Sequence, residues 1–100
     1  MLVATSLNHL LNQVDSEESF LAFVASLAED RTKAVQAEKE RPSSPFGADA
    51  GAWENTSIEG FLESASAWAE STNFGLTQRH RADNPWKRFA RFLYAGKVYE

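Results

Sequence analysis

There is no cysteine among the 100 residues of the chain. That absence removes disulfide frameworks, zinc fingers, iron–sulfur clusters and thiol catalysis together, and leaves packing to supply the stability. Histidine is nearly absent as well. His9 and His80 lie far apart, and neither shares a convincing helical face with a carboxylate at i+3 or i+4, so no metal site is expected. No apolar run approaches the roughly 20 residues needed to cross a bilayer. The opening stretch, MLVATSLNHLLNQVDSEE, lacks the basic, apolar and cleavage segments of a secretory signal, so the expected location is cytoplasmic. G-x-S-x-G, P-loop, G-x-G-x-x-G and H-E-x-x-H patterns are missing too. The neighbouring carboxylates Glu17-Glu18 and Glu29-Asp30 are adjacent rather than convergent, which suits solvated charges better than an acid–base pair. We therefore expect no catalytic residues, no cofactor and no enzyme, with an enzyme of unrecognised type as the residual alternative, since catalytic groups assemble in space.

What is present is an ordinary globular composition, 43% hydrophobic and 24% charged, of a length that fills one domain spanning residues 1–100. The net charge of −4 is unevenly divided. Residues 1–75 carry four basic and twelve acidic side chains, a balance of −8, whereas residues 76–100 carry six basic and two acidic, a balance of +4. Such an asymmetry either steers a charged partner or lets the two parts of one small fold attract each other.

Hydrophobic periodicity predicts an all-α fold, a small bundle of three main helices at about 16–40, 57–71 and 85–98 preceded by an N-terminal helix at about 2–13. Leu7, Leu10 and Leu11 mark the first stripe. The second helix starts at a Ser16 or Asp15 cap with Glu17 and Glu18 at its positive end, and Phe20, Phe23, Val24 and Leu27 form its apolar face. Beyond Leu27 that face thins, which predicts a solvated, fraying extension ending at Arg41 before Pro42. Residues 42–55, rich in Pro, Ser and Gly, read as a flexible loop that Phe46 pins to the core. Thr56-Ser57-Ile58-Glu59 reads as a capping box with Thr56 as the cap. In the helix that follows, Ile58, Phe61, Leu62, Ala65 and Trp68 make the inner stripe; Gly60 marks either a close backbone approach or no constraint. Asn84-Pro85 starts the last helix, whose inner face is Trp86, Phe89, Ala90, Phe92, Leu93 and Gly96.

Two binding readings follow. As a protein-binding module, the chain presents an acidic face at Glu17, Glu18, Glu29 and Asp30, or the aromatic-rich positions Trp53, Glu54 and Tyr99, with a protein partner. As a nucleic-acid-associated protein it would use the basic C-terminal third, Arg79, Arg81, Lys87, Arg88 and Arg91, with Trp86 available for stacking. The acidic pI near 5.1 favours the first, with the C-terminal cations neutralising Glu59, Glu63 and Glu70 on the neighbouring helix.

Trp53-Glu54-Asn55-Thr56, then Ile58, Phe61-Leu62 and Trp68, then Trp86, Phe89-Ala90 and the closing Tyr99-Glu100 resemble a group of small uncharacterised bacterial proteins sharing W-E-N-T…W-x-x-F-A…Y-E. The resemblance spans roughly residues 14–100 and implies a fold rather than an activity. It also implies fixed roles for Trp53-Glu54-Asn55 and Tyr99-Glu100, with a loop carboxylate or amide holding the C-terminal helix. In size, acidity and helical content the chain is similar, too, to the small acidic immunity proteins that neutralise bacterial toxins.

Overall fold

The computed structural model describes residues 6–78 and 84–100. Among the described residues four α-helices follow one another, α1 (Leu7–Asn12), α2 (Glu17–Glu40), α3 (Ile58–Thr72) and α4 (Pro85–Val98), with short 3-10 turns at Ala50–Ala52 and Leu76–Gln78. No strand occurs among the described residues; a single bridge pairs Asp49 with Trp53. The all-α bundle predicted from periodicity is the fold observed.

Each helix starts where a side chain can satisfy its free N–H groups. Ser16 accepts from the backbone of Ser19, and the Ser19 hydroxyl answers by accepting from the backbone of Ser16, a reciprocal box that opens α2. Asn84 accepts from the Lys87 backbone at 2.8 Å ahead of Pro85. The cap of α3 is Ser57, not Thr56: its hydroxyl accepts from the Gly60 backbone at 3.0 Å. One residue of displacement puts Gly60 where the box needs Glu or Gln, so the reciprocal half does not form. A Cβ at Gly60 would meet only the Ser57 hydroxyl; no other backbone approaches it. Residues 2–5 of the expected N-terminal helix lie outside the described residues, and α1 begins after a Ser6 cap.

Helix α4 is the axis of the molecule. It packs on α1, α2 and α3, whereas α2 and α3 lie along different flanks of it and form no packed seam with each other. Phe20 against Trp86 and Asp30 against Lys97 set α2 parallel to α4. Phe61 against Gly96 and Phe74 against Phe92 set α3 antiparallel to it. The α3–α4 contact is close because Gly96 has no side chain: a Cβ there would lie 2.8 Å from the Phe61 ring. The fold is flattened, 40 × 36 × 20 Å, about two helix diameters thick.

Phe23 and Val14 are fully buried, and Leu11, Leu27, Ala34, Trp53 and Ala90 complete the main core. Trp68, Ala69 and Ala95 form a second cluster with Phe74 and Phe92. Two expectations fail here. The second half of α2 is not a solvated extension, because Ala34 is buried and this half carries the turn at Ala50–Ala52. Phe46 does not pin the loop: it is 98% exposed. The segment is tied down instead by the Glu38 carboxylate, which accepts from the hydroxyl and backbone of Ser43 and from the backbone of Ala50.

Candidate functional site

A part-buried ion pair joins three parts of the chain. Lys97, in the last turn of α4, is 6% exposed, and its Nζ donates to Asp30 Oδ2 on α2 at 2.8 Å. The same oxygen accepts from Trp53 Nε1 at 2.9 Å. The ammonium also lies 5.3 Å from the Trp53 ring centroid, as does the Arg31 guanidinium, within cation–π range. Arg31 in turn pairs with Asp49 at 3.4 Å. Just after Trp53, Asn55 Nδ2 donates to the carbonyls of Gly96 and Tyr99 at 2.9 and 2.8 Å, and the Lys97 carbonyl accepts from the backbone of Glu54. Trp53 and Asn55 therefore fasten the C-terminal turn of α4 to the loop, and the holding group is the amide.

Electrostatics around this junction have identifiable causes. Hydrogen bonds from Ser43 and Ala50 stabilise the ionised form of Glu38 and hold its carboxyl below the ordinary 4.5. Glu54 meets the Glu100 carboxyl, and sharing a hydrogen bond with a like charge pushes its own carboxyl above 4.5.

Above the pinned junction lies an apolar groove of about 340 Å3. Val24 and Ala28 of α2 form one wall, Ile58 and Leu62 of α3 the other, and Leu93 of α4 with Trp53 the floor. It exists because α2 and α3 each pack on α4 but not on one another. Ile58 and Leu62, which periodicity assigns to the core, are 79% and 52% exposed, and Phe89 and Leu21 are about half exposed. Ile58 and Leu62 line the groove, which no other helix among the described residues covers.

A second hollow of about 470 Å3 lies between α1, the α3 C-terminal end and α4, lined by Trp68, Tyr94 and Arg91 among others. Arg91 Nη1 is covered and has no hydrogen-bond partner among the described residues. Gln78 also lines this hollow.

The binding candidates read from sequence fall into separate places. Glu17, Glu18 and Glu29 are exposed on α2. Asp30 and Trp53 meet in the pin, Trp53 being 4% exposed on the floor of the groove and the Asp30 side chain 32% exposed. Glu54 and Tyr99 sit at the C-terminal junction. Among the basic candidates, Arg79 and Arg81 lie outside the described residues. Arg88 stacks over Phe74 at 4.3 Å, Arg91 lines the second hollow, and neither these nor Lys87 forms an ion pair with Glu59, Glu63 or Glu70 among the described residues. The expected neutralisation of α3 by α4 is thus not made by direct contact. Nor do the described residues hold any cluster of three or more groups able to bind a metal ion.

Lys97 was missed by sequence reasoning, although a signal existed. It continues the inner stripe of α4 through Trp86, Ala90 and Leu93, as Asp30 continues that of α2 through Phe23, Leu27 and Ala34. Opposite charges at core positions of two helices are the pattern of a buried pair.

A family model, described as a family of unknown function and designated DUF7660, matches residues 16–100. The chain belongs to the DUF7660 family. The match starts at the Ser16 cap of α2, so the residues of DUF7660 include the whole pin and every wall of the apolar groove, while α1 lies before it. Comparison with curated proteins and with solved structures returns no match.

Proposed function

We propose that the chain is a non-enzymatic protein-binding module whose contact surface is the apolar groove over α4. One observation carries this reading: large apolar side chains on α2 and α3 converge on a seam that the fold leaves uncovered, with Ile58 79% exposed at its edge. Scattered exposed hydrophobics are normal on a small protein, but a contiguous concave patch of them is a feature of binding surfaces. The floor is rigid, because the Asp30–Lys97–Trp53 pin and the Asn55 clamp fix the elements beneath it. A preorganised floor lowers the ordering cost of association. Covering Ile58 and Leu62 contributes about 1.5–3 kcal/mol each, less than association costs, so a partner must reach Leu93 and Val24 as well.

Site-directed photo-cross-linking tests the reading. A benzophenone side chain at position 62 is expected to give a defined protein adduct in cells of the source organism, and the same probe at the exposed Gln36 of α2, outside the groove, is not. A probe at position 62 that captures no more than the one at position 36 contradicts the proposal. Unlike that outcome, a low-salt mobility shift on nucleic acid by the purified chain supports the nucleic-acid reading instead.

A further inference from the structure

We infer that the occupant of the groove is an amphipathic α-helix with basic flanks, seated over about two turns and supplied by another protein. This rests on the protein-binding reading above and names the partner's chemistry. The length comes from the lining. On α2 the groove runs from Val24 to Arg31, roughly 10 Å at about 1.5 Å per residue. The shape comes from the packing. Two helices each about 8–10 Å from the axis of α4 leave a trough that suits one further helix, and adding it on a molecule 20 Å thick makes a full bundle layer. An extended strand has no exposed sheet edge to pair with among the described residues.

The charge comes from α3, where Glu59 and Glu63 follow directly on the groove-lining Ile58 and Leu62 and no basic residue occurs. Both are exposed, and neither has an ion-pair partner among the described residues. Arg31, at the Ile58 end of the groove, is already engaged by Asp49 and the Trp53 ring. A second copy of the chain is a poor occupant, since its basic helix is its own axis and is covered by the three others.

The test uses two synthetic 16-residue helical peptides with the same leucine stripe at i, i+3, i+4 and i+7, one flanked by Lys and one by Glu. Fluorescence anisotropy is read against the intact chain. The Lys-flanked peptide is expected to bind at least about tenfold more tightly and to weaken as salt rises. Leu62→Glu, at an exposed position, should abolish binding, and the Glu59→Gln/Glu63→Gln double variant should erase most of the charge preference while keeping the stripe-dependent part. Equal binding of both peptides overturns the basic-flank inference and leaves the groove reading intact. Binding of neither peptide overturns the helix occupant, and the position-62 cross-link then decides separately whether the groove docks protein at all. Self-association of the chain that Leu62→Glu abolishes assigns the groove to a second copy and overturns the inference.

Discussion

Removing the Asp30 carboxylate should be among the most damaging single changes available. Asp30→Ala deletes the acceptor of two hydrogen bonds, from Lys97 Nζ at 2.8 Å and Trp53 Nε1 at 2.9 Å, and leaves the ammonium in a site where its side chain is 8% exposed. Breaking a fully buried pair by removing one partner costs about 3–5 kcal/mol. Here the Asp30 side chain is 32% exposed, so water enters the vacated space and lowers that figure, while the lost indole bond adds about 1 kcal/mol. The expected loss is about 2–4 kcal/mol, a large share of the roughly 5–15 kcal/mol typical of a domain. For a chain of this size each kcal/mol lowers Tm by about 4–8 °C. Lys97→Met, which removes the charge but keeps the stem's volume, should cost much less, and Asp30→Ala/Lys97→Met should recover most of the loss. Urea unfolding followed by tryptophan fluorescence measures all three. The reasoning is refuted if Asp30→Ala loses less than about 1 kcal/mol, or if the double variant is no more stable than Asp30→Ala alone.

Other expectations follow from the same geometry. Gly96→Ala should lose about 1–3 kcal/mol through overpacking against Phe61, and Phe61→Leu should restore part of it; thermal unfolding of the single and double variants checks this. Asn55→Ala removes two bonds to the end of α4 and should cost about 1–3 kcal/mol, read as faster amide exchange at residues 96–99. Because Glu38 is held below 4.5 in the folded chain, its contribution is present above that value and is lost as pH falls through the folded pKa. Glu38→Gln should therefore flatten the decline in urea midpoint below about pH 4.5, whereas an unchanged acid limb counts against the clamp. Glu54 is shifted the other way, favouring the fold at low pH and opposing it as pH rises, so Glu54→Gln should raise the midpoint at neutral pH. Phe46→Ser should leave the midpoint within about 0.5 kcal/mol of the parent.

Much of the fold was legible because caps and stripes are local. Ser16 with Glu17 and Glu18, and Asn84 with Pro85, fix helix starts through bonds spanning three residues, and both appear where the sequence places them. The start of α3 slipped by one because Thr56 and Ser57 are both competent caps, and the choice depends on how the preceding Asn55 is held by α4, a contact across 41 residues. The fate of Ile58, Leu62 and Phe89 was not legible. Periodicity reveals which side of a helix is apolar, but not whether another helix exists to cover it. For the same reason the groove is invisible in the sequence: it is defined by a missing contact between α2 and α3. Asp30 and Trp53 were singled out as surface candidates, and they met each other instead, because the third member of their cluster, Lys97, reads locally as a favourable cation at a helix end. Only its register with Trp86, Ala90 and Leu93 separates the two roles.

Whether the seam between α2 and α3 is a place where another helix sits can be read directly from methyl spectra of the isotopically labelled chain titrated with the Lys-flanked peptide. The account predicts saturable shifts concentrated at Val24, Ile58, Leu62 and Leu93, with Leu11 and Val98 beside the second hollow left unmoved. Shifts centred on Leu11 and Val98, or a titration that moves no methyl at all, would contradict it.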